Sequence, residues 1–548
     1  MKKLIYVTCI PILAGGIFIS SKQILADSVN QSTENNTTQT AQKAPELQKG
    51  GDPFEIGLMG ANGKASSTTS KTSQDEDVIT MDSALEQAVK AALGLSDSEA
   101  ITTDNILNLT ELRTKGAGIK DLSGLEYATN LKVVTFDGEA ISSLTPLENL
   151  TQLYSVGVPN CSNLSIQEVL RLKHITALDL SGNKYSQDDF NNLSVYKDMT
   201  VLWLNDCGLT STSFMSEMNH LNNLSVNNNS LSSLEGVATN ESLALQVKDN
   251  NLTSLDFNKF PNIYVLNADD NDLSELNGLD TVPLNNLTAL YLFNNNLSTD
   301  LYFQNISQLE TLDLGSNPFS KLVLQNLPKL SMLYIEGSQL TNLNDWANLP
   351  LLQNVDLAFS QDLQDISELT QFNATITQLS LNGCTNIKDF RSIENLSALE
   401  MLLLDNMNLT DDQISEVGSL PYLTGLGVNG NQLSNINFVK QFPKMTDLDI
   451  RKNRILDLSN MPTTITKYLA TDQLVDLAET NIGMETFIPL KDTQGNIPEI
   501  KNIVGEGEYT SKDDTGLTFI WNSVGENSFD FASADGNFTG TVKQTVTN

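Results

Sequence analysis

Between residues 109 and 455 one spacing of apolar and polar positions recurs sixteen times, with copies beginning 20–25 residues apart. Apolar residues hold positions 1, 4, 6 and usually 11, and a small polar residue holds position 9, as in LTALYLFNNNL (287–297), LETLDLGSNPF (309–319), LTGLGVNGNQL (423–433) and MTDLDIRKNRI (445–455). The central triplet, Leu290-Tyr291-Leu292 in the first of these, alternates with period two. It predicts a short strand with positions 4 and 6 on one face and positions 3, 5 and 7 on the other. Upstream, Leu85, Val89, Ala92 and Leu93 share a helical spacing over residues 83–95, with Ser83 to Glu86 fitting a capping box and Gly94 at the stop. Downstream, from about Asp472, alternating runs such as 517–521 and 538–542 are separated by turn-rich stretches. They predict a small β-sandwich with Trp521 in its core.

A unit of this length cannot bury its own apolar face, so neighbours must stack and share one core. The period and spacing are those of leucine-rich repeats. Position 9 is asparagine at Asn183, Asn229, Asn250, Asn271, Asn295, Asn317, Asn431 and Asn453. An amide there can donate to and accept from the backbone as the chain leaves the strand. A seventeenth copy is visible from Ile465, with Gln473 at its ninth position. Cys161, Cys207 and Cys384 also fall on position 9. Cys161 and Cys207 lie two strands apart, about 10 Å and too far to bridge, so all three are read as reduced structural residues.

The N-terminus reads as a signal peptide over residues 1–26: Lys2 and Lys3, an apolar run, then Ile24-Leu25-Ala26 as a cleavage site. Residues 27–77 have the composition of a disordered linker. A helical cap over 78–108, repeats over 109–471 and a β domain over 472–548 complete the organisation. No second long apolar segment and no LPxTG-type sorting motif is present. The expected product is secreted and extracellular, or held non-covalently at a cell surface, and monomeric, with no integral membrane segment after signal cleavage.

Charge narrows the partners. The chain has 67 acids against 32 bases, a net charge of −35. Nucleic acid is disfavoured because phosphate binding needs a basic stripe. Enzyme activity has little support. The two histidines, His174 and His220, each precede a strand at an equivalent point and read as solvated turn residues. Asp447 and Asp449 could imitate a glycosidase pair, but acids pair by chance on a face that repeats at every strand. No metal-ligand spacing exists, and no cofactor is expected.

Function should therefore sit on positions 3, 5 and 7. In the copies starting at 263 through 423 these hold no Lys or Arg. They do hold Asp269, Asp313, Glu336, Asp356 and Asp405 together with Tyr291, Phe293, Met332 and Tyr334. An outward aromatic on a strand has no core to fill, and aromatics ringed by polar groups have the makeup of a protein-binding hot spot. Trp203 is a separate, outlying candidate. On this reading Tyr291, Phe293 and Tyr334 receive an apolar projection while Asp313, Glu336 and Asp356 meet Lys or Arg from the partner. A glycan-binding module would use similar residues, and a non-enzymatic structural surface component is the remaining alternative.

The cap at 83–95, the stretches IKDLSGLEYATNL (119–131) and ISSLTPLENLTQL (141–153), and the tail with PLKDTQGN (489–496) and the strand around Trp521 together resemble bacterial internalins over 78–548. The resemblance implies an α/β solenoid: a leucine-rich-repeat horseshoe with an N-terminal helical cap and a C-terminal immunoglobulin-like β-sandwich. It also implies convex-side helices and a Gram-positive, extracellular recognition protein whose concave face binds a host or cell-surface protein.

Overall fold

The computed structural model describes residues 77–239, 241–513 and 515–548. The signal peptide and nearly all of the linker expected before them lie outside this range. Within it the chain forms two compact units, divided between Leu330 and Ser331.

The first unit opens with a helix, Ser83–Leu93. Asp82 caps it, its Oδ1 accepting from the N–H groups of Ala84 and Leu85 at 3.0 and 3.2 Å. This replaces the capping box expected at Ser83: an aspartate one residue earlier reaches the same orphan amides. Gly94 ends the helix with φ +70°, the left-handed turn that glycine adopts without a Cβ clash. Leu85 and Val89 are fully buried, but Ala92 is exposed, so the buried stripe is narrower than the spacing suggested.

Ten parallel strands follow, from Glu111–Lys115 through Val133–Asp137 to Thr311–Asp313, joined by nine parallel pairings between successive repeats, with a register shift between Leu243 and Ala244 where Leu243–Gln246 meets Ile263–Asn267. The second unit continues the same plan from Met332–Tyr334 through six further parallel pairings to Lys467–Asn481. Most strands cover positions 3–5, as in Ala289–Tyr291, one residue earlier than the apolar triplet. Positions 4 and 6 still point inward: Leu290 and Leu292 are both fully buried. The opposite side of each repeat carries less helix than the resemblance implied. It has short α-helices only at Ile166–Val169, Gln187–Asn191 and Asp411–Ser415 among the described residues, and elsewhere 3₁₀ turns such as Leu125–Tyr127 or short parallel strands such as Leu301–Gln304 beside Leu322–Gln325.

Position 9 works as expected. Asn295 donates its amide to the carbonyls of Ala268, Leu292 and Phe293 at 3.0–3.3 Å and accepts from Leu273 N–H at 3.0 Å. Gln473 repeats this for the seventeenth copy, donating to Ile450 and Ala470 and accepting from Ile455 N–H. The cysteines take over the donor half: Sγ of Cys161, Cys207 and Cys384 points at Phe136, Leu180 and Leu357 carbonyls at 3.0, 3.4 and 3.1 Å. All three thiols are free and buried. Burial pushes Cys161 up to about 11 and Cys207 and Cys384 to about 12. Glu139 holds the same slot in the second copy, where its carboxylate accepts from Ala117, Gly118 and Ile119 N–H at 2.8–2.9 Å.

Position 8 turns the chain out of the strand. In all seventeen copies it has positive φ. Six of these residues are glycine, four asparagine and four aspartate, the types that reach this region most cheaply. Ser316, Phe359 and Lys452 are the others.

The strand Lys467–Asn481 belongs to two structures. Its first residues pair with Asp447–Asp449 of the last full repeat; from Ala470 it pairs with Phe538–Thr547 of the tail. The tail so begins inside the array rather than at 472. It has two sheets. One holds Lys467–Asn481, Phe538–Thr547, Gly525–Ala532 and Glu499–Val504; the other holds Glu485–Ile488, Gly516–Trp521 and Gly507–Asp513. Phe519, Trp521 and Phe529 meet between them with ring centroids 4.5–6.4 Å apart. Trp521 is in the core, as its sequence context indicated, and its Nε1 donates to Gln544 Oε1 at 3.0 Å.

Candidate partner-binding face

The face made by positions 3, 5 and 7 is shaped by one backbone problem. In a parallel ladder the position 6 and 8 N–H groups bond to the following repeat, as Leu292 does to Asp313 O and Asn294 to Gly315 O. The position 7 N–H points back to the preceding repeat, where the position 6 carbonyl is already taken by the ninth-position amide, as Ala268 O is by Asn295. A side chain has to accept it instead, since an unmade bond there costs about 1–3 kcal/mol.

Two solutions occur. In the first, the position 5 side chain of the same repeat accepts: Asp179 from Ser181, Asn267 from Asp269, Asp313 from Gly315, Asp356 from Ala358 and Asp449 from Arg451, all at 2.8–3.1 Å. In the second, the position 7 side chain of the preceding repeat accepts: Asn205 from Asn227, Asn227 from Lys248, Asp269 from Phe293, Asn382 from Asp405 and Asp405 from Asn429, at 2.7–2.9 Å. Asp313 and Asp356, two of the three acids picked out in the sequence as partners for Lys or Arg, therefore also hold strand ends. The alternation of Asp and Asn between positions 5 and 7 is the sequence signal for this.

Their chemistry shows the cost of burial. Asp269 is raised from 3.8 to about 6, by desolvation first and then opposed by its bond from Phe293 N–H and by the Lys248 charge. Asp405 is raised to about 7, by desolvation and by the Asp449 carboxylate. Asp356 is raised as well, chiefly by desolvation. Asp449 itself is buried and gripped by Arg451, with Nε and Nη2 to its oxygens at 2.6–3.1 Å. Its neighbour Asp447 accepts from the Thr446 hydroxyl and faces Lys467 Nζ at 3.5 Å.

The aromatic candidates divide between the units. In the first, Tyr291 and Phe293 are half-buried. Tyr291 stands between Asn267 and Asp313 in register. Its phenol is raised by burial and by the Asp313 and Asp269 charges, against a hydrogen bond with Thr311. Trp203, further along, is half-buried and donates Nε1 to Asn223 Oδ1 at 2.8 Å. In the second unit, Met332 and Tyr334 are half-buried and stand in register with Asn354 and Asp356. Glu336 is buried. His174 and His220 are both exposed, and His220 Nδ1 lies 3.4 Å from Glu241.

Phe359 was not anticipated, because it occupies position 8. It is 47% exposed and has φ +58°. Among the described residues no helix is long and apolar enough to cross a membrane.

No family model matches the chain. A disease resistance protein of Arabidopsis thaliana, RPS4B, is 27% identical over 165 residues. The match takes in 29% of this chain and 14% of that protein, so the chain spans a small part of its length. Among solved structures, the functional domain of InlJ from Listeria monocytogenes, which includes a cysteine ladder, is 20% identical with a TM-score of 0.49, covering 84% of this chain and 95% of that one. The internalin InlF of the same organism is 18% identical with a TM-score of 0.38, covering 72% and 96%. A Leptospira interrogans leucine-rich-repeat protein is 18% identical with a TM-score of 0.47, covering 64% and 92%.

Proposed function

We propose that this leucine-rich-repeat chain is a secreted or surface-associated recognition module that binds a partner protein through the face made by positions 3, 5 and 7. What supports this reading is that each unit sets half-buried aromatic or thioether side chains among polar groups at these positions, Tyr291 and Phe293 in the first and Met332 and Tyr334 in the second. Their rings have no core to fill there. Partial desolvation by the fold lowers what a partner must still remove, which favours aromatics as anchors.

The acids play a different part from the rings. Each of Asp269, Asp313, Asp356 and Asp405 gives one oxygen to a backbone N–H. What they offer a partner is mainly field: a base-free stretch that steers a protein with a basic face. No part of this requires catalysis.

The test is alanine at Tyr291 and Tyr334 in the full chain, with affinity measured for a protein captured from cell-surface extracts. Loss of about 2 kcal/mol or more, with circular dichroism unchanged, is expected of hot-spot residues. Unchanged affinity would remove the aromatic face from consideration. Binding on a glycan array, with no protein captured, would favour the glycan-binding alternative.

A further inference from the structure

The chain has four Asn-Gly pairs, at 62–63, 277–278, 382–383 and 429–430. The first lies outside the described residues, and the fold treats the other three differently. Asparagine before glycine is chemically exposed, because the glycine nitrogen can reach the asparagine side-chain carbonyl carbon with no Cβ in the way. Closing that ring turns the Asn-Gly peptide out of its folded orientation. A peptide N–H already bonded to a neighbouring strand resists the turn.

Gly383 and Gly430 stand at position 8, and their N–H groups bond to the next repeat, at Asp405 O and Arg451 O, 2.8 and 2.9 Å away. Asn382 is held further by accepting from Asp405 N–H at 2.7 Å, and Asn429 is buried. The ladder locks both pairs.

Asn277-Gly278 lies on the opposite side of its repeat, at the end of the short strand Glu275–Asn277, which pairs with Ser254–Asp256. Asn277 is exposed. Among the described residues neither its side chain nor the Gly278 N–H makes a hydrogen bond. The glycine itself is fixed by the turn. Its φ is +83°, and an added Cβ would come within 2.8 Å of Asn258 Nδ2 and 3.2 Å of Val282 Cγ2. Its carbonyl accepts from Thr281 and Val282 N–H at 3.2 and 2.8 Å. The fold therefore requires the glycine and leaves the asparagine before it unengaged.

We propose that Asn277 is a site of spontaneous deamidation. The Gly278 nitrogen loses its proton and bonds to Asn277 Cγ; the Cγ–Nδ2 bond breaks, and the side-chain nitrogen leaves with that proton as ammonia. Water then adds to either carbonyl of the succinimide and reopens the ring, giving aspartate or isoaspartate. No oxidant or reductant takes part. The product sets a new carboxylate in register with Asp256, where like charges repel. The isoaspartyl form also adds a methylene to the backbone at the end of that two-strand ladder.

The test incubates the full chain at pH 8 and 37 °C, folded and in urea, and follows each Asn-Gly peptide by mass spectrometry and by isoaspartyl methyltransferase labelling. In urea the three pairs should react at similar rates. In the folded chain Asn277 should keep close to its unfolded rate, while Asn382 and Asn429 slow at least about tenfold, since a ladder bond must open first. Slowing of Asn277 by as much as the other two would overturn the proposal. So would reaction of Asn382 or Asn429 in the folded chain as fast as Asn277. Asn277→Gln, which closes a larger and less favourable ring, should abolish the change in the peptide that contains it. If that peptide still gains isoaspartate, another residue carries the reaction and the assignment to Asn277 fails.

Discussion

Asn295 shows how much one side chain does in this fold. Its amide satisfies three carbonyls and its oxygen one N–H, with all partners inside the array. Asn295→Ala leaves several buried backbone groups unpaired, so a loss of about 2–4 kcal/mol is expected in urea unfolding. Cys384→Ala should cost about 1 kcal/mol, because a thiol is a weak donor and gives up less. The same burial that raises the three thiols to about 11–12 leaves almost no thiolate at pH 8. Iodoacetamide at that pH should modify Cys161, Cys207 and Cys384 only after denaturant is added, as mass spectrometry can follow. Rapid labelling of the native chain would contradict their placement.

Among the elements, the strand ends on the proposed recognition face carry a pH dependence. The Asp405 carboxyl is raised from 3.8 to about 7 and Asp269 to about 6. A raised acid binds its proton more tightly in the folded chain than in the unfolded one. Its contribution is therefore present in full below about pH 4 and is lost as pH rises through the folded value, for Asp405 between about pH 4 and 7. Asp405→Asn keeps an acceptor for Asn429 N–H and removes the ionisation. It should melt higher than wild type at pH 7.5, with the difference vanishing near pH 4; a constant difference across that range would mean the carboxyl is not desolvated. The period, the cap helix and the asparagine positions were legible in the sequence because hydrophobic spacing and amide chemistry alone determine them. The strand limits were not, since pairing follows backbone bonds rather than apolar positions and begins one residue earlier. Nor was the role of Asp269, Asp313, Asp356 and Asp405, which follows from Asn295 and its counterparts taking the carbonyls those strand ends would have used. Phe359 was hidden for a related reason: its φ comes from the turn, and only the Gly, Asn and Asp residues at the other eighth positions hint at it.

At the scale of the whole molecule, stability is built from neighbour to neighbour. Leu85 and Val89 cover the first repeat, so Leu85→Asp, which puts an unpaired carboxylate there, should raise hydrogen exchange in Glu111–Lys115 and Val133–Asp137. The effect should fade by Ala177–Asp179, and equal deprotection of all strands in that unit would contradict a nearest-neighbour array. With a net charge of −35, association with a basic partner should slow at least tenfold between 20 and 300 mM salt, the dissociation rate changing less. The most direct test of the proposed recognition face is hydroxyl-radical footprinting of the chain with and without its captured partner. Tyr291, Phe293, Met332 and Tyr334 should lose reactivity on binding, while the exposed Tyr302 and Tyr509 keep theirs. Protection of Tyr302 or Tyr509 with no change at those four would place the partner elsewhere and contradict the account.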